Sequence, residues 1–496
     1  MTTTQRTAVL TPPVVRVGVR PGLITGIACG AQFLAVLDIS IVNLALPAMR
    51  AGLGLSPGQQ QWVVTSYLLT FGGLLLLAAR LGDLLGRRAV WQGGLVLFTA
   101  GCLAGGLAVN VPMLLAARAV QGIGAAVLAP SSLSLITAAL HDARKRAVAI
   151  AWWGAASSGG GAAGVVLGGI ITAVLGWRWV LLVSVPAGAV LWMAVARALL
   201  PGRQPDGVPR LDLAGALLGT LGAAALIFGV AHASPAGWAQ PQVIVALCCS
   251  MVLIAGFVMV EARTPVPLVR LGVFRAPGLR TGLLVLSCLG ATLTPGIFLI
   301  SLYIQQELGC SAVNAGLALL PMGIVLCLGA PVARRLTAAG MTFLPVVGAL
   351  ITSAGFIMLA RLPLHPQVLV SLSLPSLILA AGFVTLTVPI VMMVAAEVPR
   401  HEAGLVSGLI NVSYYVAGAI GVSVLTTIAA THVNSHHLSA FGAGALAGIH
   451  RAMLTCAIID FVAALAAAML VSGPGRRARQ MAGAVEVLGL HRGERL

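Results

Sequence analysis

The chain has 496 residues, 59% of them hydrophobic and 8% charged, with 60 glycines and a formal net charge of +17. So little charge cannot cover the surface of a water-soluble protein of this length, which excludes a soluble fold. Apolar runs of about 20 residues, each able to cross a hydrocarbon layer about 30 Å thick, recur from end to end without the ten-residue alternation of a membrane barrel, so the fold class is all-α integral membrane.

Fourteen spans are predicted, near 23–48, 60–80, 89–109, 113–139, 147–174, 179–199, 211–231, 241–260, 281–303, 315–335, 342–361, 368–394, 404–430 and 450–471. The first is too long for a signal-peptide core and lacks a small-residue cleavage site, so it reads as a retained span. With both termini inside, the outer loops hold only Arg50, Arg178, Arg361 and Arg451, while Arg118 lies within a span. That leaves 24 of the 29 basic residues on the inner side, the distribution that orients a polytopic protein with cytoplasmic termini in the cell (inner) membrane. The basic surplus therefore serves topology and anionic headgroups and is not a nucleic-acid footprint.

Taken in order, the first span carries one charge, Asp38, in "AVLDISIVNLALP" (35–47). An ionised carboxylate at mid-membrane costs roughly 2.5–3.5 kcal/mol on insertion scales, so its retention asks for a reason. Removal from water favours a neutral acid and a nearby cation such as Arg118 favours the charged one. A group held between those influences can take up and release a proton, bind a cationic substrate, or alternate between the two. A carboxylate paired permanently with Arg118, or capped by Asn43 and Ser40, is the alternative.

Spans two and three are joined by "ARLGDLLGRR" (79–88), where Gly82 and Gly86 permit close backbone approach. Asp83 there can pair with Arg87 or Arg88 or cap a neighbouring helix, or else the arginines only set topology beside a solvated acid. In span four, Arg118 is followed by Gln121, Gly122 and Ala125 at helical spacing. Such a polar, small-residue stripe must face protein or a water-filled cavity, with the arginine acting on nearby groups or bonded to backbone carbonyls. Span five repeats Gly160, Gly164 and Gly168 every fourth residue, with Gly161 and Gly169 beside them, a face on which another helix packs closely. Trp152 and Trp153 fit an aromatic belt near the inner face.

Beyond the polar stretch 201–210, "LCLGAPVARRLTAAGMT" (326–342) repeats the small-residue helix end, paired arginines and turn found near 74–90. The expected organisation is a tail over 1–22, a six-helix half over 23–200, a linker with two inserted helices over 201–265, a second parallel half over 266–472 and a tail over 473–496. Duplicated halves about a central site are a transporter architecture. Gln305, Gln306 and Glu307 end span nine and suit an outer vestibule. Tyr414 and Tyr415 in span thirteen are two of only four tyrosines; they form an aromatic wall for a planar ligand or simply pack. Asp460, inside the last span, is a second proton-coupling candidate, or a partner for Arg451. Asp212 and Glu397 lie at span ends, where snorkelling costs little.

"HVNSHH" (432–437) has histidines at metal-ligand spacing but no carboxylate or cysteine beside them, and the eight scattered cysteines form no CxxC pair. No metal site, cofactor or disulfide framework is therefore expected. No GxxxxGK[ST] loop is present, so energy must come from an ion gradient, and no HExxH or Ser/His/Asp set suggests a membrane enzyme.

"LDISIVNLALP" (37–47), "ARLGDLLGRR" (79–88), "RAVQGIGAA" (118–126), "WGAASSGGGAAGVVLGG" (153–169) and "SLYIQQELGCSAVNAGLALLP" (301–321) together resemble signatures of the major facilitator superfamily, specifically its fourteen-span drug:proton antiporter branch. The resemblance covers nearly the whole chain. It implies a proton-coupled exporter of hydrophobic or amphipathic drugs working by alternating access, as a monomer. Asp38 would handle proton or cation and Arg118 tune it, with Asn43, Gln121, Gln305, Tyr414 and Tyr415 lining the cavity. Asp83, Gly86, Arg87 and Arg88 would latch the inward-closed state, and the glycine face of span five would be the antiporter motif, here with Val165 in place of the family's proline. A transporter of the same fold for a lipid, siderophore or metabolite is the alternative within the fold; a channel or membrane enzyme is the alternative outside it.

Overall fold

The computed structural model describes residues 21–84, 87–140, 142–198, 212–264, 267–363, 368–397, 403–430 and 441–472. Among these there are helices and no strands: α1 (Pro21–Leu53), α2 (Pro57–Leu84), α3 (Arg87–Gly106), α4 (Val111–Ala139), α5 (Ala143–Val174), α6 (Trp177–Leu182), α7 (Ser184–Ala198), α8 (Leu213–Ala236), α9 (Pro241–Arg263), α10 (Pro277–Leu302), α11 (Ala312–Ala338), α12 (Leu344–Leu359), α13 (Val368–Ala396), α14 (Ala403–Ala430) and α15 (Phe441–Ser472). Twelve segments among the described residues are long and apolar enough to cross a membrane. The other two predicted spans correspond to α2, 28 residues long, and α12, an apolar helix of 16 residues or about 24 Å. The protein is a multi-pass membrane protein.

Local sequence explains the helix starts. At α2, Gln59 Oε1 accepts from the Ser56 backbone N–H and Ser56 Oγ from that of Gln59, a reciprocal capping box. Asn110 caps α4, Asp212 caps α8 and Ser311 caps α11 through their side-chain oxygens. Asp212 is accordingly buried at a helix start and does not snorkel. Span six, predicted as one helix, is divided into α6 and α7 at Val183, because Pro186 has no N–H to continue the α6 ladder onto Leu182. The turn into α6 needs Gly176, whose φ is +89°.

Helices α1–α7 form one half and α10–α15 the other, while α8 and α9 pack on each other and α8 also on α2 and α14. Within the first half α1 lies along α5, and α4 along α2 and α3; the second half repeats close pairing in α10 with α14 and α13 with α11 and α12. The halves meet chiefly through α5 with α11 and α2 with α14. The end of the bundle where α1 begins is called the near end below, and the end where α1 finishes the far end.

Candidate functional site

Asp38 sits at the middle of α1 with no solvent exposure, and Arg118 of α4 is 1% exposed. Arg118 Nη1 donates to Asp38 Oδ2 at 2.6 Å. The same nitrogen donates to Gln121 Oε1 at 2.9 Å, and Nε donates to the Val63 carbonyl of α2 at 3.1 Å. Gln121 Nε2 in turn reaches Asp38 Oδ1 at 3.4 Å and Cys102 Sγ of α3 at 3.0 Å. The guanidinium lies over the Tyr67 ring, 4.5 Å from its centroid, so one face of the cation meets an aromatic ring while Nε and Nη1 are hydrogen-bonded. Four helices thus converge on one ion pair, which pays its desolvation through mutual attraction and these added hydrogen bonds. Asn43 and Ser40 do not cap Asp38: Asn43 Oδ1 has no hydrogen-bond partner, and its backbone carbonyl accepts from Ser301.

The glycines of α5 explain how α1 comes so close. A Cβ on Gly160 would stand 2.6 Å from the Phe33 carbonyl, one on Gly164 2.6 Å from Ser40 Cβ, and one on Gly168 2.7 Å from the Ile41 carbonyl. This face therefore grips the turn of α1 that carries Asp38. Gly169 points elsewhere, against the Ala312 carbonyl of α11 in the other half. The helix runs unbroken through Val165, which, unlike a proline, has a backbone N–H to give to the helical ladder.

A chain of rings leads from the ion pair into the second half. Tyr67 stacks on Phe71 at 5.6 Å, Phe71 meets Tyr415 edge-on at 4.6 Å, Tyr415 meets Tyr414 at 5.1 Å and Tyr414 meets Phe383 at 6.4 Å. Tyr414 and Tyr415, neighbours on α14, are half-buried and sit at right angles, and the Phe71–Tyr415 contact carries the chain of rings from one half to the other. Asp460 of α15 is fully buried, with Oδ1 at hydrogen-bond distance, 2.9 Å, from Thr292 Oγ1 of α10; its partner is not Arg451, which is exposed.

Toward the far end the halves are tied by hydrogen bonds among Arg50, side-chain amides and hydroxyls. Arg50 donates to Gln306, Gln306 to Gln60, Gln61 to Ser423, and Thr426 to Gln61, at 3.1–3.2 Å. Gln305 turns inward from a π turn over Tyr303–Glu307 and donates to Ser301 Oγ at 3.1 Å. At the near end α1 and α5 splay around a cavity of about 950 Å³ lined by Gly22, Gly26, Phe33, Ala149 and Trp152, with Lys145 at its edge. Trp152 is exposed, whereas Trp153 turns inward and donates its indole N–H to Ser132 Oγ at 2.7 Å.

Asp83 closes α2 and Arg87 opens α3, but both side chains, and Gly86 altogether, lie outside the described residues, as do the side chain of Glu307 and the histidines of 432–437; Arg88 is half-buried. Sequence reasoning missed Tyr67, Phe71, Cys102 and the Gln60–Gln61 pair. Tyrosine scarcity was the available signal for Tyr67, since it is one of the four that include Tyr414 and Tyr415.

Comparison with known proteins follows the same lines. The cephamycin export protein of Amycolatopsis lactamdurans is 38% identical over 439 residues, spanning 87% of this chain and 90% of that protein. The puromycin resistance protein of Streptomyces alboniger is 37% identical over 403 residues, 80% of each. Among solved structures, a D-xylose–proton symporter superposes with a TM-score of 0.63 at 14% identity, covering 90% of this chain and 97% of that one, which shows a shared fold. The model of the Major Facilitator Superfamily matches residues 28–422. With that match over most of its length, and relatives of this closeness, the chain belongs to the major facilitator superfamily.

Proposed function

We propose that this protein is a proton-coupled exporter of hydrophobic or amphipathic antibiotics, acting as a monomer in the cell (inner) membrane. The observation that carries the reading is the Asp38–Arg118 pair, buried where four helices converge in a membrane protein and held beside the ring chain that spans both halves. Relatives named for cephamycin export and puromycin resistance support the substrate class.

The excess of basic residues in the near-end loops and tails orients both termini to the cytoplasm. The far-end amide ties then form an outer gate, closed here, and the α1–α5 cavity opens on the cytoplasmic side. The halves, 23–200 and 266–472, rock about Tyr415 and the α5–α11 contact to expose the centre alternately. A proton arriving at Asp38 from outside neutralises it; Arg118 then keeps Gln121, the Val63 carbonyl and the Tyr67 ring. Loss of the pair loosens α1 from α4, and the substrate leaves on the outer side as the proton moves inward. The turn bearing Asp83, Gly86, Arg87 and Arg88 latches the opposite, inward-closed state. One charge crossing about 100 mV supplies roughly 2.3 kcal/mol, enough for about 50-fold accumulation.

The test is uptake of puromycin into inside-out proteoliposomes under an imposed pH gradient. The parent is expected to accumulate puromycin, and Asp38→Asn to lose at least ten-fold of the gradient-driven rate. A mutant that accumulates puromycin at the parental rate removes Asp38 from coupling. A parent that moves puromycin only down its own gradient overturns proton-coupled export.

A further inference from the structure

Asp38 faces a cation, whereas among the described residues none faces Asp460. The Asp460 carboxylate is fully buried between α10, α12, α14 and α15, and its Oδ2 has no hydrogen-bond partner. Its other oxygen lies 2.9 Å from Thr292 Oγ1, which itself lies 3.2 Å from the Leu289 carbonyl one turn back along α10. A hydroxyl has one proton to donate. If the carboxylate were ionised, Thr292 would give that proton to Asp460, and the negative charge would rest on this single bond with an oxygen left bare. If Asp460 is a neutral acid, it donates to Thr292 Oγ1 and Thr292 donates to Leu289, so both separations are hydrogen bonds at once and no charge is buried unpaired.

The groups facing the carboxylate agree with the second arrangement. From α10 they are Thr292 and Cys288, from α14 Tyr414, and from its own helix Cys456, whose Sγ donates to the Thr292 carbonyl at 3.9 Å. From α12, Ser353 Oγ donates to the carbonyl of Ala457, three residues before Asp460 on α15. None of these is a cation. Pro295, one turn beyond Thr292, cannot bond to Ala291, so α10 has a point of bending beside the pair. Bending there parts Thr292 from Asp460 and lets water reach the acid.

We infer that Asp460 is a second proton-carrying site of the transporter, in the half opposite Asp38, loaded with its proton in the conformation described here and emptied when α10 bends. The consequence is a cycle that moves two protons per substrate, one through each half. This rests on the proposed proton-coupled export for its transport consequence, but the bound proton is observable without transport.

Infrared spectroscopy of the purified full-length protein reads that proton as a carboxylic-acid C=O band. The parent is expected to show a band that disappears in Asp460→Asn and shifts in Thr292→Val, which keeps the side-chain shape and removes the hydroxyl. In proteoliposomes, the puromycin gradient sustained by a fixed pH gradient is expected to fall from its square to its first power in Asp460→Asn. A band unchanged in Asp460→Asn shows an ionised or differently placed acid and overturns the inference. So does a band that vanishes while the gradient keeps its parental power, because the acid is then a fixture of the fold. A parent without pH-driven accumulation overturns the proposed function instead, and the infrared band then decides Asp460 alone.

Discussion

At the scale of the residue, the pair Asp38–Arg118 is costly to dismantle from one side. Taking away a single partner leaves an uncompensated charge in a dry interior, which costs about 3–5 kcal/mol, whereas replacing both by apolar groups of similar size is often neutral or stabilising. Arg118→Ala is therefore expected to lower the thermal midpoint of the detergent-solubilised protein sharply, and Asp38→Leu with Arg118→Met to restore most of it while gradient-driven transport stays absent. Equal losses in the single and double variants would mean that the fold depends on the guanidinium's other bonds, to Val63 and Gln121, more than on the charge pair. Which residues would meet was only partly legible. A carboxylate and an arginine at membrane depth announce themselves by their price. Tyr67 and Cys102 do not, because an aromatic or a thiol in an apolar run looks like any other core residue until its neighbour is known.

At the scale of the element, the spacing of Gly160, Gly164 and Gly168 was readable as a packing face, but the identity of the helix it grips was not, since four-residue spacing says nothing of the partner. The structure supplies α1, and at the turn that bears Asp38. Small residues drive such contacts because hydrocarbon offers no hydrophobic gain for association, so backbone proximity and dispersion must suffice. Gly164→Ala would press a methyl onto Ser40 Cβ and the Leu37 carbonyl, whereas Gly161→Ala would meet Val36 Cγ1 at 3.7 Å and Ser40 Oγ at 3.9 Å, both ordinary contacts. The first is expected to cost about 1–3 kcal/mol of stability and to slow transport, and the second to leave both unchanged, as read by thermal midpoint and puromycin uptake. Similar behaviour of the two variants would show that α5 does not seat α1 through this face. The same limit explains span six: its hydropathy marks a crossing, while its division at Val183 follows from where Pro186 falls in the hydrogen-bond ladder.

At the scale of the whole molecule, the ties that close the far end among the described residues are hydrogen bonds of amides, hydroxyls and Arg50, with no ion pair. Such ties are individually modest, each about 0.5–1.5 kcal/mol, which suits a gate that must open in every cycle. Gln61→Ala combined with Gln306→Ala removes the bonds to Ser423, Thr426, Arg50 and Gln60. In a Cys310→Ser background carrying Ser423→Cys, the double variant is expected to raise the labelling rate by a membrane-impermeant thiol reagent several-fold, because Ser423 is buried while the gate is shut. An unchanged rate would place the gate elsewhere, with the α5–α11 contact at Gly169 the next place to test.

What the sequence by itself determined is the class of molecule: repeated apolar runs and scarce charge allow only a polytopic helical bundle, because length, hydropathy and charge are properties of local segments. Even there α12, at 16 residues, shows that a local measure blurs at the margin. Tertiary structure alone decided that Asp38 and Arg118 are partners 80 residues apart, that Asp460 has Thr292 and, among the described residues, no cation, and that tyrosines from opposite halves join in one chain of rings. Each of those facts depends on which helix lies beside which, and in a bilayer that choice is made by close packing of small residues and by the need to satisfy every buried polar group, neither of which any one segment carries in its own sequence.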